Sequence, residues 1–93
     1  MKAFAVLAHP ERESFNGALF DVAADVFSGG GHEFVGSDLY RMQFDPVSDR
    51  RNFTSVKDPQ YFKQQIEELH ASENSTFRSD IAEEMEKLLW CDL

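Results

Sequence analysis

The feature that most constrains the fold is an apolar run that leads at once into a polar turn. Residues Ala3–Ala8 are all apolar, and the segment His9–Glu13 that follows them contains Pro10 and charged side chains. A half-exposed strand would alternate polar and apolar residues. An unbroken run therefore predicts a strand buried on both faces, over residues 2–8, as is typical of a parallel sheet covered by helices.

A helix is predicted directly after the turn, over residues 15–29. Ser14 suits its N-cap, because a serine hydroxyl accepts a hydrogen bond from a free amide of the first turn. A strand that leads straight into a helix start aims unpaired N–H groups and the positive end of the helix dipole at one edge of the sheet, a geometry that binds phosphate. The helix is supported by one apolar stripe, formed by Phe15, Ala18, Leu19, Val22, Ala23, Val26 and Phe27.

The next segment completes a βαβ unit. Glycine in the triplet Gly29–Gly31 is expected to end the helix in the left-handed conformation. A second strand follows over residues 33–38, and its crossover should be right-handed. Two parallel strands cannot close a doubly covered sheet. The sequence therefore predicts an incomplete α/β domain, in which Asp92-Leu93 is the kind of sequence that enters a further strand.

Two more helices are predicted in the second half of the chain. Residues 40–57 show no sustained period, which is typical of a functional connection or of one ordered by a partner. Asp58 as N-cap and Pro59 at the first helical position predict a helix over 59–70, and a last helix is predicted over 79–90. Their inward faces would carry Phe62, Ile66 and Leu69, and then Ile81, Met85, Leu88 and Leu89.

Composition limits the class of protein. A length of 93 residues allows one small domain, residues 1–93. The net charge of −8 argues against nucleic acids and anionic membrane surfaces as partners. Cys91 is the only cysteine, which excludes an internal disulfide and favours a reducing compartment. The apolar runs are too short for a signal peptide or a membrane span, so we expect a cytoplasmic protein.

Five segments in a shared order carry a resemblance to a known family. They are Val6–Arg12, Ser14–Ala18, Ser37–Tyr40, Phe44–Val47 and Asp49–Arg51. On these segments the chain resembles the NAD(P)H:quinone oxidoreductases, the DT-diaphorase-like family, and in particular its bacterial members. The resemblance runs along nearly the whole chain but covers only the N-terminal part of a full-length relative.

The resemblance implies a flavodoxin-like fold, a homodimer and a bound flavin, FAD or in some relatives FMN. It also implies two-electron transfer of a hydride from NAD(P)H to a quinone. Catalytic residues would lie outside this chain, which would be inactive alone. Alternatives are an FMN-dependent azo or flavin reductase and a non-catalytic fragment or interaction module. Residues implied to contact the flavin nucleotide are His9, Ser14, Phe15, Asn16 and Ala18, with Gln64 near the flavin of the other subunit.

Some of these residues keep a second interpretation. His9 suits a hydrogen bond to a diphosphate oxygen, and an exposed loop histidine is the alternative. Phe15 and Asn16 would offer backbone N–H groups, although Phe15 also fits simple core packing. Arg12 would either offset phosphate charge or be solvated. The chain lacks the Gly-x-Gly-x-x-Gly that would mark a Rossmann dinucleotide site.

Other polar residues are expected to be structural. The pair Arg50-Arg51 fits either a contact with a partner's acidic surface or a solvated loop. Glu67 and Glu68 are expected on the wet face of a helix, and Cys91 is expected to be a small buried apolar residue. No metal site is expected, because the histidines lie far apart: His9, His32 and His70.

Overall fold

The computed structural model describes residues 1–93, which divide into two compact units. The first unit is Met1–Asp45 with Glu86–Leu93, and the second is Pro46–Met85. None of the helices has the length and apolar character that a membrane crossing requires. The elements are the strands β1 (Lys2–Leu7) and β2 (Glu33–Asp38), the helices α1 (Phe15–Gly29), α2 (Gln64–Asn74) and α3 (Ser79–Trp90), and a 3₁₀ turn at Arg50–Asn52.

In the first unit β1 and β2 form the predicted parallel pair. Their register aligns Lys2 with Glu33 and Leu7 with Asp38. The predicted bounds of both strands and of α1 are confirmed to within one residue. The βαβ order, with α1 between two parallel strands, confirms the predicted α/β architecture.

Helix α1 packs on one face of this sheet through aromatic side chains. The Phe20 ring lies edge-on to Phe34, with centroids 6.0 Å apart, and Phe27 stacks on Phe34 at 6.5 Å. Gly36 makes this packing possible, since a Cβ there would lie 3.1 Å from Phe20 Cε2 and 3.2 Å from Phe34 Cε1. The absence of a side chain at Gly36 therefore lets the Phe20 ring of α1 pack directly against β2.

The predicted apolar stripe of α1 is only partly buried. Phe20, which the stripe did not include, faces the sheet, while Phe15 is 77% exposed and Val26 is 63% exposed. The physical reason is width: a sheet of two strands is narrower than the stripe. The helix end is as predicted, because a glycine of the triplet, Gly31, has the positive φ of 80° directly after the C-cap Gly30.

The other face of the sheet is contacted by the last part of α3. Lys87 Nζ donates to Ser37 Oγ at 2.9 Å, and Lys2 Nζ lies 5.7 Å from the centre of the Trp90 ring. Val6 on this face is nevertheless 53% exposed, so the prediction of a strand buried on both faces is wrong for its second half. Cys91 is half-buried rather than buried.

The second edge of β1 is also hydrogen-bonded. Leu93 N–H donates to the carbonyl of Lys2 at 3.2 Å, and the carbonyl of Leu93 accepts from Phe4 N–H at 2.8 Å. This alternation is the pattern of a parallel ladder. Asp92-Leu93 thus approaches β1 as the entrance to a third strand would, on the side opposite to β2.

The second unit is built around phenylalanine rings. Phe53 is buried, and its backbone forms an isolated antiparallel β-bridge with Phe77. The rings of these two residues have centroids 5.7 Å apart. The Phe62 ring lies 6.2 Å from Phe53. These rings give the second unit a small core of its own, so the part of the irregular segment that lies in this unit, residues 46–57, is ordered by contacts and not by periodicity.

Helix α2 is displaced from its predicted bounds of 59–70. The Asp58 carboxylate accepts from the amides of Gln60 and Tyr61 at 2.9 and 3.2 Å, which makes a turn where a helix start was predicted. The helix begins only at Gln64 and continues to Asn74. The predicted apolar faces are also wrong at several positions that the structure leaves exposed: Ile66 and Leu69 on α2, and Met85, Leu88 and Leu89 on α3.

Candidate functional site

The candidate site lies in the first unit, where the carboxyl ends of both strands meet. Leu39 N–H donates to the carbonyl of Leu7 at 2.9 Å, so the segments that leave β1 and β2 start side by side. The segment after β1 turns within a few residues into α1. This is the edge at which open α/β sheets bind ligands.

Ser14 caps α1 as predicted. Its Oγ accepts from Gly17 N–H at 3.1 Å, and its carbonyl accepts from Ala18 N–H at 3.0 Å. The intervening amides, those of Phe15 and Asn16, donate to no acceptor within the chain. Two free N–H groups at the positive end of a helix dipole form a ready site for an anionic oxygen.

His9 lies just before this helix start and is half-buried. The amide of Glu11 donates to its Nδ1 at 2.9 Å. A neutral imidazole whose Nδ1 accepts must carry its hydrogen on Nε2. In that tautomer the Nε2–H group of His9 is one further donor, with no partner in the chain, whereas in the other tautomer Nδ1–H donates to the carbonyl of Glu11 at 3.1 Å.

Arg12 is ion-paired within the first unit, which neither predicted interpretation included. Its Nη1 donates to the carbonyl of Gly17 at 3.1 Å, and its guanidinium pairs with Asp21 on α1 and, at 3.5 Å, with Asp38 at the end of β2. The hydrogen bond to Asp21 is the main cause that raises the pKa of Arg12 above its ordinary value. The side chain remains 41% exposed, as the solvated interpretation expects, but its guanidinium is already engaged by these partners.

Gly17 lets the turn lie close against α1. A Cβ at this buried position would lie 2.9 Å from the carbonyl carbon of Arg12 and closer still to its carbonyl oxygen. Real Cβ atoms essentially never come within 3.0 Å of another residue's atoms. The residue is thus required by close approach of backbone to backbone, which sequence reasoning did not identify.

A groove of about 330 Å³ runs from this helix start along β1. Asn16 stands at its polar end, whereas Phe15 points away into solvent and Ala18 is exposed. The alternative role predicted for Phe15, packing in the core, is not seen in residues 1–93. The groove is lined by Ala5, Val6, Leu7, Ala8, Asn16, Leu19, Phe20 and Ala23.

Gln64 belongs to the second unit. The other residues predicted to contact the flavin all lie in the first unit. It is the first residue of α2, and its Nε2 donates to Glu68 Oε1 at 2.9 Å. Arg50, in the same unit, donates to the carbonyl of Asp58 at 3.3 Å and lies 5.7 Å from the Phe62 ring. Its side chain therefore helps to hold this unit together.

Glu67 is the residue that sequence reasoning misjudged most. It was expected to be solvated, yet it is 1% exposed. Its carboxylate accepts from the amides of Lys57 and Asp58 at 2.9 and 3.0 Å, and these hydrogen bonds hold its pKa below the ordinary value. No signal in the helix period marks Glu67, because its partners are backbone groups of another segment.

No group of three or more His, Cys, Asp or Glu side chains is arranged to hold a metal ion. The arrangement around the start of α1 offers hydrogen-bond donors instead. It is suited to bind an oxyanion.

Comparisons with known proteins confirm the predicted flavodoxin-like fold. A family model described as "Flavodoxin-like fold" matches residues 1–93. An NAD(P)H dehydrogenase (quinone) 1 from Cavia porcellus is 38% identical over 99% of this chain and 34% of its own length. A ribosyldihydronicotinamide dehydrogenase (quinone) from Rattus norvegicus is 39% identical over 99% of this chain and 40% of its own.

A solved structure gives the same result. A Klebsiella pneumoniae protein assigned as a quinone reductase superposes with a TM-score of 0.91 at 35% identity. The match covers 99% of this chain and 36% of that one. The chain thus spans between a third and two-fifths of the length of the relatives it matches.

Proposed function

This chain belongs to the flavodoxin-like fold family, and on that premise we propose that residues 1–93 are the nucleotide-binding part of a flavin-dependent quinone reductase. The flavin of the proposal is FAD, with FMN as the alternative. Its phosphates would lie at the start of α1. NAD(P)H is the proposed electron donor and a quinone the acceptor, in line with the names of the relatives.

The observation that carries the proposal is the set of unpartnered donors between β1 and α1. The amides of Phe15 and Asn16 belong to one short segment with His9, which adds an Nε2–H donor in the tautomer whose Nδ1 accepts from Glu11. Each can donate to a phosphate oxygen without breaking a hydrogen bond inside the chain. The helix dipole adds a favourable potential for negative charge at the same place.

The residues present fit a flavin nucleotide in shape as well as in charge. Phosphate needs donors, which the helix start provides, and the less polar part of the ligand needs an apolar groove. The groove beside Asn16 is walled mainly by apolar residues of β1 and α1. A bound flavin would supply the ring that accepts a hydride from NAD(P)H and passes two electrons on.

This chain's own part in the proposed reaction is binding and orientation. A grip on the phosphates is equally strong in the ground state and the transition state, so it lowers a dissociation constant without raising turnover. Hydride transfer also requires the two rings to be held about 3–3.5 Å apart. We therefore expect residues 1–93 alone to bind flavin weakly and to show no NAD(P)H-dependent quinone reduction.

The proposed site is tested by titrating the chain with FAD, FMN and riboflavin while the flavin fluorescence is followed. Phosphate recognition predicts that FAD and FMN bind more tightly than riboflavin. His9→Ala should weaken FAD binding, whereas His32→Ala, at the opposite end of the strands, should not. Equal affinity for riboflavin and FAD, or equal effects of the two histidine variants, would contradict the site.

The proposal extends to the assembly of a longer protein. A homodimer in which Gln64 approaches the flavin of the other subunit is part of it, and its support is the family resemblance. Sedimentation measures the oligomeric state of a chain that continues past Leu93. Gln64→Ala should then weaken flavin retention in the dimer, and Gln65→Ala serves as the matched control.

A further inference from the structure

Arg12 joins three parts of the first unit through one guanidinium group. Nη1 donates to the carbonyl of Gly17, and both terminal nitrogens reach Asp21, in the first half of α1. Nε lies 3.5 Å from Asp38 Oδ2 at the end of β2. The guanidinium carbon also lies 5.5 Å from the centre of the Phe20 ring, which is within cation–π distance.

The charge of Arg12 is already compensated by these contacts. Two carboxylates face it, and that of Asp38 is only 14% exposed. Another oxygen of Asp38, Oδ1, accepts from the backbone of Arg41 at 3.2 Å, which holds the carboxylate in place. A phosphate at Arg12 would face the carboxylates of Asp21 and Asp38, two negative charges that already pair with the guanidinium, so a direct contact is unfavourable.

We propose that Arg12 is a positioning residue of the flavin-phosphate site and not a ligand of it. Its side chain ties the turn between β1 and α1 to the loop that follows β2. The tie keeps the amides of Phe15 and Asn16 on the same side as His9. This inference rests on the proposed flavin site and assigns to Arg12 a role in the affinity of that site.

The two roles predict opposite effects when a carboxylate partner is neutralised. If Arg12 were a phosphate ligand, Asp21→Asn would free it and remove a negative charge, and FAD would bind more tightly. If Arg12 positions the turn, the same substitution loosens it, and FAD should bind about 1.5- to fivefold more weakly, the range expected for a partly exposed ion pair. Asp25→Asn is the matched control, since Asp25 is on the same helix, is exposed and makes no such pair.

The experiment titrates FAD and riboflavin into the wild-type chain and the two Asn variants. Weaker FAD binding by Asp21→Asn than by Asp25→Asn, with riboflavin unchanged, supports positioning. Tighter FAD binding by Asp21→Asn overturns it. Arg12→Lys keeps the charge but not the fork of donors, so positioning predicts that it recovers only part of the affinity lost in Arg12→Gln.

A measurement without ligand separates this inference from the proposed function. Hydrogen exchange of a peptide covering residues 9–17 should be faster in Arg12→Gln than in the wild type, and unchanged in Arg41→Gln. Unchanged exchange in both variants refutes the positioning role. Failure of the wild-type chain to bind any flavin would instead refute the proposed site, and exchange would still decide whether Arg12 orders the turn.

Discussion

Replacing Gly17 by alanine tests the close contact on which the candidate site depends. In an ordinary helix interior this change stabilises by about 0.5–1 kcal/mol, because glycine loses more conformational freedom on folding. Here the new Cβ would meet the Arg12 carbonyl, whose carbon lies 2.9 Å away. The turn would have to move by about 1 Å to restore a normal contact distance.

The expected result is a net loss of stability. Overpacking of this kind costs about 1–3 kcal/mol, which outweighs the gain in helix propensity. We therefore expect Gly17→Ala to lower the free energy of unfolding by about 1–2 kcal/mol, measured by urea denaturation with an unchanged m-value. It should also weaken FAD binding, because the shifted turn carries the free amides.

Gly29 supplies a matched control. It is the last residue of α1, and a Cβ there would meet no atom within 4 Å. Gly29→Ala should therefore be neutral or slightly stabilising. If Gly17→Ala proved as stable as Gly29→Ala, the turn would not be held against α1, and the geometric argument for the site would be wrong.

Three further outcomes are expected. Ser14→Ala should lower the free energy of unfolding, measured by urea denaturation, by about 1 kcal/mol, because the N-cap is lost. The control, exposed Ser28→Ala, should change it by almost nothing, and equal effects of the two substitutions would exclude the cap. The lowered pKa of Glu67 stabilises the fold above about pH 4.3, the ordinary glutamate value, and this contribution disappears as the pH falls through the folded pKa. Glu67→Gln should therefore lose less stability than the wild type when the pH is lowered from 6 to 3, and exposed Glu68→Gln is the control. Equal losses in Glu67→Gln and the wild type would argue against a role of the carboxylate. The isolated chain should unfold with less than about 5 kcal/mol or self-associate, because Phe15 and other large apolar residues are exposed; a sharp monomeric melt above that value would contradict this.

The strand, turn and first helix could be predicted because local signals and tertiary structure agree there. The apolar run, the Ser14 cap and the helical stripe each indicate the same boundary, and the structure places it at Phe15. Agreement between independent local preferences is what makes a segment foldable and predictable. The candidate donors follow directly, since they are the amides that any capped helix leaves free.

The second unit could not be predicted in the same way, because long-range hydrogen bonds override its local signals. Asp58-Pro59 is a valid helix start by composition, but the Glu67 carboxylate accepts the amides of Lys57 and Asp58 from ten and nine positions away. These bonds hold the segment beside α2 and delay the helix to Gln64. Nothing in a period of 3.6 residues carries that information.

Arg12 shows the same limit at the site itself. Sequence reasoning offered a phosphate contact or a solvated side chain, because an arginine beside a helix start suits both. The deciding facts are the positions of Asp21, a helical turn beyond Gly17, and of Asp38, at the end of a different strand. A cation near an anion site is therefore informative only once its own carboxylate partners are known. Here those partners turn a simple electrostatic expectation into its opposite: neutralising a nearby negative charge should weaken, not strengthen, the binding of an anion.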